Sequence, residues 1–288
     1  MNNKDTILLQ LQDCLYQMLV EFDSICKEHN LRYYLAYGSL LGAVRHGDFI
    51  PWDDDLDVVM PREDYDRLLK TYKEILPSHY DLHNYNNTPN YFLSFAKIVN
   101  TDTTLVEIAN KKNDYRVGGV YIDIFPLDGM GNCIRSARLR TKKATIYRIM
   151  IDSTTDMFED KKRALWKQLI INITRLFNTQ KWQNRLARHL RKKSFNKSKY
   201  VSMSATSTKD KKIVKKEIFG EPKKIKFREH YFYAPQMIDE YLKTEYGDYM
   251  QLPPIEKRCS HHNFVYIDLN LPFEKFDVKD MERKQLRK

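Results

Sequence analysis

Apolar residues near the start of the chain recur at spacings of three and four. The residues with this spacing are Leu8, Leu11, Leu15, Leu19, Phe22 and Cys26. Because about 3.6 residues complete one helical turn, side chains at this spacing share one face of a helix. The pattern predicts an amphipathic helix over 6–28 whose apolar face packs on a core.

Beyond this helix, short apolar runs alternate with helical patterns. Strands are predicted over 33–37, 56–60, 91–99, 103–108, 117–125 and 225–232, where β-branched and aromatic residues cluster between turn-forming residues. Helices are predicted over 40–46, 62–76, 134–151, 160–177, 180–194 and 235–246. We therefore expect an α+β fold with a mixed β-sheet core flanked by helices.

Four aspartates stand immediately before the predicted strand over 56–60. In order, the residues are Trp52, Asp53, Asp54, Asp55, Leu56 and Asp57. Strand side chains alternate between faces, which predicts that Asp53, Asp55 and Asp57 share one face while Asp54 points away. Three carboxylates on one face are ligands of the kind that Mg²⁺ and Mn²⁺ prefer. The alternative is a solvated acidic loop, but the position between two apolar strands favours a metal site.

Two further features bring polar groups to this segment. Asp123 interrupts an apolar run, and a buried carboxylate needs a strong partner, which a metal held by Asp55 and Asp57 would supply. A hydrogen-bonded structural aspartate is the alternative. Gly38 and Ser39 end the first strand in a turn that leads into a helix, where backbone N–H groups and a hydroxyl can meet a phosphate. These residues together predict metal-dependent phosphoryl transfer, with a carboxylate taking the proton of the incoming hydroxyl.

Positive charge is concentrated in the middle of the chain. The 288 residues carry a net charge of +11, and 130–230 holds 28 Lys and Arg against 8 Asp and Glu. Such a segment fits an anionic partner, which could be a nucleic acid, an anionic membrane surface or a phosphorylated glycan polymer. A solvated helical surface is the alternative.

Cysteine spacing and hydropathy exclude several classes of protein. The scattered Cys14, Cys26, Cys133 and Cys259 form no CxxC pair, so neither a disulfide framework nor a zinc site is predicted. No apolar run is long enough to span a membrane, and the first residues lack the features of a secretory signal. We expect a cytoplasmic protein, with peripheral contact at the inner face of the cell membrane as a further option.

One long motif resembles a known family. The residues GSLLGAVRHGDFIPWDDDLD at 38–57 are similar to the signature of the LicD/fukutin family, and YGDYM at 246–250, LPP at 252–254 and the histidine pair at 261–262 resemble its C-terminal pattern. The resemblance implies a nucleotidyltransferase-like fold that transfers a phospho-alcohol from a CDP-linked donor to a sugar hydroxyl. For bacterial members it implies phosphocholine, placed on teichoic acid, lipopolysaccharide or capsule, whereas relatives move ribitol phosphate or similar groups.

The same resemblance implies roles for individual residues. Asp53, Asp55 and Asp57 match the metal-binding aspartates, and Asp123 matches a further strand carboxylate that serves as general base or metal ligand. Gly38 and Ser39 match the phosphate-binding turn. The implied cofactor is Mg²⁺ or Mn²⁺, and the implied partners are CDP-choline or another CDP-alcohol and a glycan acceptor, expected to be lipid-linked. A nucleic acid is not expected.

Four other residues are candidates for substrate binding. Arg45 suits a diphosphate, although a salt bridge to the aspartate loop is an equal alternative. His46 could hydrogen-bond that loop or the donor, and His261 follows a rigid Pro-Pro turn. Trp52 could face a quaternary ammonium through cation–π attraction, as could Tyr37 or Tyr121, with core packing as the alternative. These candidates add to the catalytic set Asp55, Asp57 and Asp123.

The chain is expected to have three segments. A catalytic core over 1–130 precedes a basic helical segment over 131–230, which faces the acceptor or a membrane, and 231–288 completes the catalytic unit. Two rival functions stay open: a true nucleotidyltransferase that leaves the nucleotide on its acceptor, and a basic module that binds nucleic acid or membrane without catalysis.

Overall fold

A mixed β-sheet organises this computed structural model, which describes residues 3–89, 91–108, 115–155, 172–205, 212–260, 264–279 and 281. The longer helices are α1 Asn3–Glu28, α2 Tyr37–His46, α3 Arg62–Ile75, α4 Ile134–Ser153, α5 Thr179–Leu190 and α6 Ile238–Tyr246. The first strands are β1 Tyr34–Leu35, β2 Asp57–Pro61, β3 Tyr80–His83, β4 Ala96–Asn100, β5 Thr104–Ile108 and β6 Tyr115–Gly118. The later strands are β7 Tyr121–Gly131, β8 Tyr200–Ser202, β9 Val214–Lys215, β10 Lys223–Phe227, β11 His230–Ala234 and β12 Phe264–Asp268.

The central sheet has the strand order β1-β2-β7-β4-β3, and β8 and β9 extend it beside the far half of β7. β2 and β7 run parallel, while β1, β4 and β8 pair antiparallel with their neighbours. β10 and β11 form a separate hairpin, and β12, β5 and β6 form a three-stranded sheet. The prediction of an α+β fold with a mixed sheet is confirmed.

The N-terminal helix forms as its apolar spacing predicts. Leu11, Leu15, Leu19 and Phe22 are buried in the main core, where they pack with the strands of the central sheet. On the same helix, the Gln12 side-chain amide donates hydrogen bonds to the carbonyl groups of Ile50 and Asp53, at 3.3 and 2.8 Å. The helix therefore supports both the core and the segment that carries the aspartates.

Strand β7 is longer than predicted, and the strand expected over 117–125 is divided. The division falls at Gly119, because the chain there passes so close to the carbonyl group of Asn100 that no Cβ could fit. The strand passes through Pro126, which lies between the last pairing with β4 at Ile124 and the first pairing with β8 at Asp128. Pro126 is also the register partner of Met60 on β2, but the Asp123 N–H donates toward that side, to the Leu56 carbonyl at 2.9 Å. By strand alternation the nitrogen of Pro126 therefore faces the opposite edge, between the β4 and β8 ladders, where its missing N–H is tolerated.

A buried ion pair joins α3 to β7. The guanidinium group of Arg62 donates to both carboxylate oxygens of Asp128, from Nε at 2.7 Å and from Nη2 at 3.0 Å. Asp128 is fully buried, and the Arg62 side chain is 8% exposed. The bidentate geometry fixes the first turn of α3 against the middle of the sheet.

Part of the basic segment forms a small core of its own. Ala144 and Ile151 of α4 pack against Trp182, Leu186 and Leu190 of α5. Positions 160–171 of the helix predicted over 160–177 lie outside the described residues. β8 and β9 also belong to the basic segment but pair with the central sheet, and the segment boundaries at 130 and 230 stay predictions.

Other predicted elements also begin, end or divide at different positions. The strand predicted over 33–37 covers Tyr34–Leu35, and the one predicted over 91–99 begins at Ala96. The strand predicted over 225–232 is a hairpin, β10 and β11, whose turn contains Arg228 with a φ of 52°. The helix predicted over 235–246 begins at Ile238. None of the helices in the described part of the chain combines the length and the apolarity that a bilayer crossing requires.

Candidate active site

Three charged side chains lie in one row across the central sheet. Asp57 of β2 is the register partner of Asp123 on β7, and Lys97 of β4 is the partner of Asp123 on its other side. Lys97 Nζ lies 3.4 Å from Asp123 Oδ1. Lys97 is not among the residues predicted for the site. Like Asp123, however, it is a single charged residue in an apolar strand, between Ala96 and Ile98, and such a residue needs a partner when it is buried.

The three consecutive aspartates form a cluster before β2. Asp53, Asp54 and Asp55 each offer a carboxylate oxygen, and these oxygens lie within 4.8 Å of one another. The prediction that Asp54 points away from the cluster is wrong. Strand alternation does not apply to these residues, because a turn at 51–52 precedes them and β2 begins only at Asp57. Asp54 is buried, and its carboxylate accepts a hydrogen bond from the hydroxyl group of Ser260.

The aspartate cluster is held against the first turn of α2. The Asp53 N–H donates to the carbonyl group of Ile50 at 2.9 Å. The Asp53 carboxylate lies so close to the Cα of Gly38 that a Cβ at this position would overlap Oδ2 and stand 3.4 Å from Cγ. A negative charge beside a helix N-terminus is stabilised by the helix dipole. Gly38 is therefore the residue that allows the carboxylate to reach this position.

Ser39 links α2 to β2. It is 1% exposed, and its Oγ accepts a hydrogen bond from the Asp57 N–H at 2.8 Å. The helix begins at Tyr37 rather than after Ser39, so Gly38 and Ser39 occupy its first turn, where backbone N–H groups have no partner within the helix. The described partner of the Ser39 hydroxyl is thus the backbone of Asp57, and its contact with a phosphate stays a prediction.

Tyr37 adopts a strained backbone conformation at the start of α2. Its φ is 44°, in the left-handed region that bulky residues rarely occupy. The Tyr37 N–H donates to the Tyr241 hydroxyl at 3.3 Å. Strain of this kind persists only where surrounding contacts impose it, and it is frequent at functional sites.

The site concentrates negative charge in a buried environment. Burial raises the pKa of the Asp57 carboxyl well above its usual range, and the charges of Asp55, Asp123 and Asp53 raise it further, while Lys97 opposes them. A cluster of carboxylate oxygens that repel one another is the donor set that a hard divalent cation prefers. The cluster of Asp53, Asp54 and Asp55 therefore fits a Mg²⁺ or Mn²⁺ ion, while metal binding by Asp57 and Asp123 stays a prediction.

The C-terminal segment packs over the aspartates. Arg45 Nη2 donates to the carbonyl group of Gln251 at 2.9 Å, and the Arg258 guanidinium lies 5.6 Å from the centre of the Trp52 ring. Together with the hydrogen bond from Ser260, these contacts bring two distant parts of the chain to one site. Desolvation and the charge of Asp57 also raise the pKa of Tyr246 at the end of α6. These C-terminal contacts are not predicted from the sequence.

The remaining predicted residues are placed as follows. Arg45 is bonded to the C-terminal segment through Gln251 rather than to the aspartate loop. His46 is exposed in the last turn of α2, and burial of part of its ring and the charge of Arg45 lower its pKa. His261 lies outside the described residues.

Each aromatic ring considered for a quaternary ammonium faces a cation of the protein itself. The ring–cation pairs are Tyr37 with Lys212 at 4.9 Å, Tyr121 with Lys97 at 3.1 Å and Trp52 with Arg258 at 5.6 Å. These pairs stabilise the rings by cation–π attraction. A cationic substrate would have to use the other face of a ring or displace the side chain.

Comparison with known families identifies the domain that carries this site. Residues 30–158 match the family described as LicD/FKTN/FKRP, nucleotidyltransferase domain. Residues 30–158 are therefore similar to the nucleotidyltransferase domain of this family. The matched range contains α2, the aspartate cluster, Lys97 and Asp123, whereas Ser260 and the rest of the C-terminal segment lie beyond it. The resemblance inferred from 38–57 is confirmed.

Two curated relatives have established names. The lipopolysaccharide cholinephosphotransferase LicD of Haemophilus influenzae is 29% identical over 262 residues, which cover 90% of this chain and 97% of that protein. The ribitol 5-phosphate transferase FKRP of Mus musculus and Homo sapiens is 62% identical over 34 residues, which cover 12% of this chain and 7% of theirs. Similarity thus extends along nearly the whole chain in one relative and is confined to a short, highly similar segment in the other.

Proposed function

We propose that this protein transfers phosphocholine, or a similar phospho-alcohol, from a CDP-linked donor to a sugar hydroxyl of a cell-surface glycan such as teichoic acid, lipopolysaccharide or capsule. The proposal includes dependence on Mg²⁺ or Mn²⁺. Its main support is the similarity over 90% of the chain to a lipopolysaccharide cholinephosphotransferase. The assembled carboxylates provide the chemical reason why such a reaction could occur at this site.

The carboxylates have two separate tasks in this proposal. Asp53, Asp54 and Asp55, together with Asp57, would hold the metal, which when bound neutralises charge on the transferred phosphoryl group. Asp123 lies on the neighbouring strand with Lys97 at 3.4 Å. Lys97 places a positive charge beside this carboxylate, which in our proposal accepts the proton of the attacking sugar hydroxyl.

The first turn of α2 has the complementary task of binding the donor diphosphate. Backbone N–H groups at a helix N-terminus suit phosphate oxygens, and Gly38 lets the Asp53 carboxylate, a proposed metal ligand, pack against this turn. Ser39 holds the Asp57 backbone through its hydrogen bond at 2.8 Å and so fixes the distance between α2 and β2. The donor would therefore bind between a helix terminus and the aspartate cluster.

A polyol phosphate is the second candidate for the transferred group. The rings of Tyr37, Tyr121 and Trp52 already face protein cations, which leaves less aromatic surface for a quaternary ammonium. The segment that is 62% identical to ribitol 5-phosphate transferase FKRP points to the same class of donor. Ribitol phosphate and glycerol phosphate are both uncharged on the alcohol side and need no aromatic cage.

A panel of donors tests the proposal. The protein is incubated with Mg²⁺, an acceptor glycan and CDP-choline, CDP-ribitol or CDP-glycerol, and both CMP release and the mass of the acceptor are measured. We expect CMP release with one donor and a mass gain equal to its phospho-alcohol. A mass gain equal to a nucleoside monophosphate would establish the rival nucleotidyltransferase reaction. Absence of product with every CDP-alcohol would refute the transferase and favour a binding module.

Paired variants connect that activity to the carboxylates. Asp55→Asn and Asp57→Asn should abolish turnover while preserving the fold, because each keeps the side-chain volume and removes the charge. Asp102→Asn is the matched control, since Asp102 is exposed in the turn between β4 and β5. Turnover retained in both site variants would show that these aspartates do not hold the metal.

A further inference from the structure

The outer face of α4 presents an ordered pattern of exposed residues. Ala137, Thr141 and Ala144 are buried toward the rest of the protein. The exposed residues of the helix recur at spacings of three and four and are Arg135, Ser136, Arg138, Leu139, Lys142, Lys143, Ile146 and Ile149. Because this is the spacing of one helical face, the exposed residues form a continuous stripe opposite the buried side.

Large aliphatic side chains occupy the centre of this stripe. Leu139 is 68% exposed, Ile146 is 52% exposed and Ile149 is 51% exposed. Ile173 and Leu176 continue the surface beyond the end of α4, at 51% and 80% exposure. Two hydrogen bonds to Ser153 hold the segment with Ile173 and Leu176 against the end of α4. The Ser153 and Thr174 hydroxyl groups lie 2.5 Å apart, and Arg175 Nε donates to the Ser153 carbonyl at 3.0 Å.

Positive charge surrounds these aliphatic side chains. Arg135, Arg138, Lys142 and Lys143 lie on the stripe, whereas the acidic residue of α4 is Asp152, near its C-terminus. Asp152 is half-buried and faces Arg148, so it does not neutralise the stripe. The outer face of α4 is therefore both apolar and cationic over most of the helix.

The charge and the aliphatic residues together favour one class of partner. The acyl–headgroup boundary of an anionic bilayer accepts aliphatic side chains and attracts Lys and Arg at the same time. A nucleic acid would satisfy the cations but offers Leu and Ile no stacking partner. Pairing of two copies through this face would oppose the same basic residues and cause repulsion.

We propose that the outer face of α4, continued by Ile173 and Leu176, docks on an anionic bilayer surface. α4 is joined to the first turn of α2 through the residues that follow β8, since the Thr141 and Ser204 hydroxyl groups lie 3.4 Å apart and the Tyr37 hydroxyl donates to Met203 Sδ at 3.0 Å. If the acceptor glycan is lipid-linked, docking would hold the site close to it. That last point rests on the proposed function, whereas docking itself does not.

Vesicle co-sedimentation of the full chain tests the docking. Vesicles of phosphatidylcholine alone are compared with vesicles that also contain phosphatidylglycerol, over a range of NaCl concentrations. We expect binding only to the anionic vesicles, with a steep loss as salt rises. Lys142→Gln with Lys143→Gln should weaken binding by about 10- to 30-fold. Lys223→Gln with Lys224→Gln on β10 changes the net charge equally at exposed positions and is the matched control.

An apolar variant separates docking from simple charge attraction. Leu139→Ser with Ile146→Ser keeps every charge and should weaken binding by about tenfold or more. Thermal unfolding of each variant checks that the fold is unchanged, as expected for exposed positions. Normal vesicle binding by this variant, or equal losses in the two lysine pairs, would overturn the proposal. The proposal would also be overturned if the wild-type protein bound no vesicles, or if it bound a single-stranded RNA more tightly than the anionic vesicles. A wild-type dimer that only the apolar variant fails to form would overturn it as well.

Discussion

Replacement of Gly38 by alanine should reduce activity without reducing stability. The new Cβ would overlap Asp53 Oδ2 and stand 3.4 Å from Cγ, but the overlapping atom is the end of a side chain that can rotate. Clearing the overlap moves the carboxylate by about 1 Å, and a displacement of this size in a catalytic site can cost about 100-fold in rate. Alanine is more favourable than glycine in a helix by about 1 kcal/mol. This gain offsets the cost, of similar size, of moving the Asp53 side chain away from its preferred rotamer.

The assay therefore has two readouts with different expected results. The melting temperature should stay within about 3 °C of the wild type, because the two free-energy terms nearly cancel. CMP release from the preferred CDP-alcohol, and Mn²⁺ affinity measured by electron paramagnetic resonance, should both fall substantially. The second readout does not depend on the identity of the donor.

Two other glycines supply the controls. Gly118→Ala adds a Cβ where no atom lies within 4 Å, so both readouts should stay at wild-type values. Gly42→Ala places a Cβ 2.9 Å from the backbone nitrogen of Ile50 and should lower the melting temperature, because backbone atoms cannot rotate away. Wild-type activity and Mn²⁺ affinity in Gly38→Ala would refute the argument. A loss of stability as large as that of Gly42→Ala would also refute it.

Three further predictions follow from the site and its supports. Asp54→Ala should reduce Mn²⁺ affinity about as much as Asp55→Ala, because both carboxylates belong to the cluster whose oxygens lie within 4.8 Å. A clearly smaller loss of affinity in Asp54→Ala would show that Asp54 does not bind the metal. Lys97→Met should slow CMP release yet bind Mn²⁺ at least as tightly, since it removes a cation that competes for the carboxylates, and weaker binding would contradict this. Asp128→Asn should lower the free energy of unfolding in urea by about 3–5 kcal/mol, because it leaves the buried Arg62 charge uncompensated; a loss below about 1 kcal/mol would show that the pair is not structurally important.

Sequence patterns predict the fold class and the part of the site that is continuous in the chain. α1 and β2 are predicted from local patterns, which are the apolar spacing of α1 and the apolar run after Asp57. The core packs against these same apolar residues, so tertiary contacts agree with the local patterns. The resemblance over 38–57 includes most of the α2 helix, the three aspartates of the loop and Asp57 at the start of β2. Asp123 is found because a carboxylate in an apolar strand needs a partner.

Features that depend on tertiary contacts are missed or predicted wrongly. Strand alternation places Asp54 on the wrong side, because it holds only for residues inside a strand and Asp54 instead hydrogen-bonds with Ser260, 206 positions away. The division of the strand before β7 depends on the close approach of Asn100 to Gly119. Lys97 is recognisable in the sequence as a charged residue in an apolar strand. That its partner is Asp123 becomes apparent only from the strand register.

The long sequence separation of the site's contacts has a consequence for protein synthesis. The aspartates leave the ribosome early, whereas Gln251 and Ser260, each 206 positions from its partner, emerge near the end of translation. Until then the nascent chain holds several carboxylates in close proximity without their C-terminal cover, and contacts of such long range form slowly. We expect premature termination before position 246 to yield chains that retain much of the central sheet but depend on chaperones, because surface normally covered by the C-terminal segment stays exposed. The segment after position 246 thus determines when a folded polypeptide becomes a complete site.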